Sequence, residues 1–275
     1  MGIKIERKGT NMIRQKNGIR FICKGFTLIE LLVVIAIIAL LMSILMPALS
    51  RVKTQAKAVA CQSNLHQWAV IWNLFAQDND GHFHGGEGGE SQTTDNRWPT
   101  VVKDYYKDDK IRLCPMAKKP ATEGGQNPMC AWGKFDDGMY ASYGFNEWLC
   151  NRPLGEAESD NYWRKVYGIP QTNKIPLFMD CYWYDVWVHA IDNPPPTDGY
   201  TAQLSGSNEI RRVCLNRHNE AINVAFLDWS VREVDLKELW TLKWHKNYDT
   251  GGQWTLAGGV TEEDWPEWMQ GMKAY

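Results

Sequence analysis

The sequence predicts an α+β protein in which a long N-terminal α-helix, membrane span and spine in one, packs against a mainly antiparallel β-sheet head. Three observations carry this expectation. Residues 26–49 form an apolar run of 24 residues, interrupted after Thr27 only by Glu30 and Ser43. Beyond it, Cys61, Leu65, Trp68, Trp72 and Phe75 recur at steps of 4, 3, 4 and 3, the spacing of one face of an α-helix. The rest, about 190 residues and enough for a sizeable core, holds short β-rich runs between turn-forming clusters.

Taken in order, residues 1–25 form a basic leader. Lys4, Arg7, Lys8, Arg14, Lys16, Arg20 and Lys24 stand against Glu6, a net charge of +6. The whole chain is −2, so residues 26–275 carry −8. A basic flank stays on the cytoplasmic side of a span. Arg51, Lys53 and Lys57 on the far flank oppose this only weakly. The head, residues 82–275, is therefore expected outside the cytoplasmic membrane. Its mildly acidic balance offers no footprint for nucleic acid.

Residues 26–81 read as span plus spine. Twenty-four residues cross a bilayer with some tilt. Glu30 is the anomaly, because a charge in hydrocarbon costs roughly 2.5 kcal/mol or more at the helix centre and calls for a partner. The Ser43 hydroxyl can bond back to the helix. Pro47 lacks an N–H and clashes with the preceding turn, so a helix break or loosening is expected there. Gln62, Asn64, Gln67 and Asn73 lie off the apolar stripe. Asp78-Asn79-Asp80-Gly81 should end the helix, with Gly81 suited to a left-handed C-terminal position. A helix over residues 26–77 would be roughly 80 Å long.

In the head, Gly85-Gly86-Glu87-Gly88-Gly89-Glu90 with the Ser-Gln-Thr-Thr after it, and residues 193–199, read as loops. Residues 175–180 and 183–190 are β-rich. Residues 223–227 and 230–234 read as a hairpin about Asp228-Trp229, and residues 235–244 as a short helix.

Lys24-Gly25-Phe26-Thr27-Leu28-Ile29-Glu30, running into the apolar helix, resembles the prepilin signature of type IV pilins and type II secretion pseudopilins. The resemblance implies that prepilin peptidase cuts between Gly25 and Phe26 and that the new Phe26 amine is methylated. It implies that Glu30 pairs during assembly with the Phe26 amine of a neighbouring subunit. Opposite charges attract strongly in a low-dielectric medium, and pairing removes the cost of leaving either alone. Pro47 falls at mature position 22, a place where pilins commonly carry proline. A secretory signal fits less well: its apolar region is about 7–15 residues long and precedes its cleavage site.

Four head segments add to the resemblance: Cys61-Gln62-Ser63-Asn64-Leu65-His66-Gln67, Leu113-Cys114-Pro115, Ser142-Tyr143-Gly144-Phe145-Asn146, and His218 followed after nine residues by Asp228. They look like landmarks of a large group of bacterial pilin-like proteins with a C-terminal motif named H-X9-DG. Trp229 stands where that group has Gly. A bulky residue resists positive φ, so the turn is expected to be longer than a two-residue type I′ turn, or of another type.

The implied function is a structural subunit of a pilus or of a type II secretion-like pseudopilus, with no enzymatic activity and no cofactor. Its implied partners are sister subunits in a homo- or hetero-polymeric filament, prepilin peptidase, an assembly platform and membrane lipid. A reading from another class is a membrane-tethered extracytoplasmic binding protein that takes glycans on exposed residues among its fourteen tryptophans. Trp163, Trp183, Trp187, Trp229, Trp240, Trp244, Trp254, Trp265 and Trp268 are the candidates.

Cys23 lies in the leader, leaving Cys61, Cys114, Cys130, Cys150, Cys181 and Cys214. Six cysteines in an extracytoplasmic head suggest disulfides. Cys61 with Cys114 would staple head to spine, and Cys130–Cys150 and Cys181–Cys214 are then the remainder. Free thiols are the alternative. No pair has CxxC spacing, so no metal is expected from the cysteines. His82 and His84, with Asp78 and Asp80, lack a complete calcium loop and read as a helix cap and polar loop. His218 and Asp228 read as a hairpin fixing its own backbone, because no nucleophile accompanies them as an acid–base pair would need.

Overall fold

A computed structural model describes residues 27–86, 97–120, 127–133, 138–152, 158–198 and 208–275. The leader with Gly25, Phe26, and residues 87–94 and 199 of the expected loops lie outside them. The chain divides into two compact units, Met1–Leu49 and Ser50–Tyr275.

The first unit is the start of α1 (Leu28–Asp78). Every described side chain up to residue 49 is exposed. The Ser43 hydroxyl donates to Leu40 O at 2.7 Å, as expected. The helical run continues through Pro47.

The second unit takes in the rest of α1. Cys61, Leu65, Trp68, Trp72 and Phe75 are buried, joined by Ala69, Ile71 and Ala76. The head's compact unit therefore begins at Ser50, not after residue 81, because this stripe is part of its core. The helix ends with Asp80 and Gly81 at positive φ and the Gly81 N–H on Ala76 O at 2.7 Å, closing the last turn.

Among the described residues the strands are β1 (Lys119–Pro120), β2 (Cys130–Ala131), β3 (Tyr143–Asn146), β4 (Pro176–Asp180), β5 (Asp185–Val186), β6 (Ala221–Phe226) and β7 (Val231–Asp235). The main sheet has the order β5-β3-β4-β6-β7, antiparallel except for the β3–β5 pair. Pro176 opens β4, a strand position that tolerates a missing donor. Gly144 is needed in β3, since a Cβ there would lie 2.5 Å from Trp183 O. The expected strand at 183–190 shrinks to β5, and the expected helix at 235–244 is a 3₁₀ stretch, Leu236–Thr241.

Aromatic rings join helix to sheet. Trp72 meets Phe145 of β3 at 4.5 Å between centroids, and Trp68 meets Phe178 of β4 at 5.1 Å. Trp98 fills the angle beside them, 5.2 Å from Trp68 and 5.0 Å from Phe178. Each such side chain contributes on the order of 2 kcal/mol by burial, and truncating Trp72 to Ala would cost about 3–5 kcal/mol.

Register matters most at one end of the sheet. Tyr143 pairs with Asp180, and Met179 with Val224, so the last residue of β4 lies between the start of β3 and the middle of β6.

Candidate functional site

Two places carry polar chemistry that the fold alone does not need. The first is the start of α1. Thr27 N and Thr27 Oγ1 both donate to Glu30 Oε2 at 2.8 Å, and Glu30 N donates to Thr27 Oγ1 at 3.2 Å. This is a reciprocal capping box, which satisfies otherwise orphaned donors at the helix start. The Thr-Leu-Ile-Glu spacing contains that signal as well as the expected assembly role of Glu30.

The second lies where β4 ends. Cys61 comes from α1, Cys114 from the loop after a 3₁₀ turn (Asp109–Arg112), Asp180 from β4, and His218 from the turn before β6. All four are buried, and one donor atom of each lies within 4.8 Å of the others. Cys61 Sγ is 3.5 Å from Asp180 Oδ2 and 3.3 Å from the Tyr143 hydroxyl. Cys114 Sγ is 3.5 Å from His218 Nε2. His218 Nε2 is 3.1 Å from Asp180 Oδ2.

Hydrogen bonds between segments distant in sequence hold this arrangement. The Cys114 N–H donates to Ser142 Oγ at 3.1 Å, while Ser142 Oγ donates to Ala117 O. Trp68 Nε1 and Asn64 Nδ2 donate to Ile111 O and Leu113 O, fixing the Cys114 loop to α1. Asn223 N donates to Asp180 Oδ2 at 2.9 Å. Arg217 is wholly buried and donates to Pro128 O, Ser142 O, Cys130 O, Cys181 O and Asp180 Oδ1. Its planar fork of five N–H groups suits such a junction, where lysine offers three donors.

The electrostatics follow from burial and pairing. Burial works to raise the Asp180 pKa, but the His218 hydrogen bond, the His218 and Arg217 charges and the Asn223 N–H outweigh it and hold it at about 2. Burial works to lower the His218 pKa, but its bonds to Asp180 and Cys114 lift it to about 10. For Cys114, burial is overcome by the Cys61 and His218 hydrogen bonds, and the thiol falls to about 7. Burial pushes the Cys61 thiol up.

A thiol, an imidazole and a carboxylate in contact invite comparison with a nucleophilic triad. The geometry excludes it. A triad uses both ring nitrogens, one for the nucleophile and one for the carboxylate. Here Nε2 meets both Cys114 and Asp180, while His218 Nδ1 is buried with no hydrogen-bond partner.

The expected site residues fare differently. His218 and Asp228 do not meet: His218 turns to Asp180, and Asp228 is exposed, accepting from Ser230 N at 3.0 Å within the hairpin turn. Trp229 does take positive φ, +69°. Its N–H bonds to Phe226 O and the Phe226 N–H to Ser230 O, a type I turn followed by a left-handed bulge residue. The turn is thus of another type than I′, as expected, yet it imposes on Trp the φ that was expected to be avoided.

The expected disulfides are not formed. Cys61, Cys114, Cys150, Cys181 and Cys214 are buried free thiols, and Cys130 is buried too. Cys61 and Cys114 do come together, but against Asp180 and His218. Burial pushes the Cys181 thiol up to about 12 and the Cys214 thiol up as well. Such thiols lack the thiolate that exchange requires and act as small core hydrophobes.

His82 and His84 part company: His82 Nδ1 contacts Arg164 O, while His84 lies buried near Glu147 and Cys150. Eight of the fourteen tryptophans are buried, and six, Trp163, Trp183, Trp187, Trp229, Trp254 and Trp268, are half-buried.

Residues 20–46 match the family described as the prokaryotic N-terminal methylation motif, of the pilin and pseudopilin type. No curated protein and no solved structure matches the chain. The motif and the apolar helix that follows it fit an inner-membrane-anchored protein that prepilin peptidase processes.

Proposed function

We propose that the chain is a structural filament subunit, cut between Gly25 and Phe26, methylated on Phe26 and assembled by bundling of its N-terminal helix into a pilus or a type II secretion-like pseudopilus. One observation carries the reading: a methylation motif leads straight into a helix whose residues 28–49 are all exposed and, apart from Ser43 and one acid, Glu30, all apolar. Such a surface is stable only in lipid or against other apolar helices. In the membrane, lipid covers it; in a filament, sister helices do. The Glu30 carboxylate then meets the Phe26 amine of a neighbour, and the assembly platform moves the subunit from one setting to the other. The head remains outside the cytoplasmic membrane, in the periplasm or at the cell surface. Eight of its fourteen tryptophans serve as core.

The test is the mass of the native N-terminal peptide. A peptide beginning at Phe26 and heavier by one methyl group is expected. A mature chain that begins within or after the apolar run, or retains the leader, would refute the proposal.

A further inference from the structure

The geometry points to a structural metal site at the centre of the head, in which Cys61, Cys114, Asp180 and His218 bind one thiophilic divalent cation, zinc(II). Zinc takes four ligands in a tetrahedron, with bonds of about 2.3 Å to sulfur and about 2.0–2.1 Å to nitrogen or oxygen. The edges of such a tetrahedron are about 3.5 Å between sulfur and nitrogen or oxygen, and about 3.3 Å between nitrogen and oxygen. The distances are 3.5 Å for Cys114 Sγ to His218 Nε2, 3.5 Å for Cys61 Sγ to Asp180 Oδ2, and 3.1 Å for His218 Nε2 to Asp180 Oδ2. The approach of Cys114 Sγ and Asp180 Oδ2 to a single imidazole nitrogen, which rules out a triad, is what a shared ligand requires.

The surroundings fit the same ion. On binding, both cysteines coordinate as thiolates and His218 as the neutral ring, and the protons that these three side chains carry in the empty site pass to solvent. Zinc(II), two thiolates and one carboxylate then carry one negative charge. The Arg217 guanidinium, 3.2 Å from Asp180 Oδ1, brings the buried centre to neutrality. The Tyr143 hydroxyl beside Cys61 Sγ and the Asn223 N–H on Asp180 supply the outer hydrogen bonds that orient ligands. With four protein donors and no exposed face, the site is closed, as structural zinc sites are. It would tie together four segments, at residues 61, 114, 180 and 218, that the missing disulfides do not.

The second buried cluster, His84, Glu147 and Cys150, has three donors, and His84 Nδ1 already accepts from the Gly86 N–H at 3.1 Å. It serves as the control.

The experiment uses the full chain in detergent, purified through a tag that does not bind metal, with zinc measured by mass spectrometry. About one zinc per chain is expected. Cobalt(II) exchanged into the site should give thiolate-to-metal charge transfer and the intense visible bands of a tetrahedral centre. The Cys61→Ser, Cys114→Ser double variant should lose the zinc, and Cys150→Ser should keep it. Should the double variant fail to fold, His218→Cys preserves four donors and should retain zinc, with stronger charge transfer under cobalt. Wild-type protein with no zinc and a Cys61–Cys114 disulfide in non-reducing peptide maps would overturn the inference. So would zinc that survives in the folded double variant, or zinc lost from Cys150→Ser alone.

Discussion

The two halves of α1 obey opposite rules. Up to residue 49 every described side chain is exposed, and the chief polar feature, Glu30, finds its bonds three residues away in Thr27. From Cys61 onward the apolar stripe is buried, and two polar groups beside it find partners far along the chain: Gln62 reaches Asn223, and Asn64 reaches Leu113 O. An apolar surface left exposed by its own chain is completed by another phase or another copy. An apolar surface buried by its own chain is complete already, and its polar neighbours are free to build something specific. The first region works by contiguous sequence, the second by convergence.

The sharpest way to break this comparison is at Glu30. Glu30→Ala should insert into the membrane at least as well, since it removes a charge from the apolar phase. It should abolish incorporation into sheared filaments. Glu30→Gln divides the two roles of the side chain, because Gln still serves a capping box but carries no charge. Filaments from Gln but not from Ala would assign Glu30 to helix capping; filaments from neither would assign it to charge pairing.

Arg217→Ala is the counterpart in the head. It removes five hydrogen bonds at a wholly buried junction and leaves Asp180 without its guanidinium. A loss of about 3–5 kcal/mol is expected in urea unfolding followed by tryptophan fluorescence. Membrane fractionation of the same variant should be unchanged. Arg217→Lys should recover little, since a point charge cannot span four carbonyls.

This difference also explains what was legible in the sequence. The methylation motif, the apolar run and the stripe from Cys61 to Phe75 are periodic or contiguous, so length and spacing reveal them. The hairpin of β6 and β7 was equally plain. The buried cluster was not, although Cys61, Cys114 and His218 lie in segments that drew notice and Asp180 closes an expected strand. Metal-site spacing rules look for donors close in sequence, whereas these donors are brought together by the β3–β4–β6 register and the burial of α1. Arg217, next to His218, has no role legible in the sequence for the same reason: nothing local marks a buried arginine until its carbonyl partners are known.

A smaller effect concerns pH and belongs to the head alone. Burial, the charge of His189 and that of Lys243 hold the His245 pKa down from 6.5 to about 4. Between those values the unfolded chain binds a proton that the folded chain refuses, so stability falls as pH drops from 6.5 toward 4 and levels off below it. Thermal melts of the head in detergent, read at pH 7 and pH 4.5, should show the decline. His245→Gln should make it shallower, and an unchanged slope would mean that other groups carry it.

The smallest effect tests the turn. Trp229 occupies a left-handed position, φ +69°, while its ring is half-buried against the core. A non-glycine residue there costs roughly 1–2 kcal/mol of backbone strain. Half-burying an indole contributes a similar amount in the opposite direction, on the order of 2 kcal/mol. Trp229→Gly relieves the first and forfeits the second, so its net change should lie within about 1 kcal/mol of zero. Trp229→Ala forfeits the ring and keeps the strain. Glycine should therefore be more stable than alanine at this position by about 1 kcal/mol, the reverse of their order inside a strand or helix. Paired urea titrations of the two variants measure that difference directly, with the ring absent from both. Equal midpoints would show that the turn relaxes around any side chain, and that the Trp in place of Gly costs the hairpin nothing.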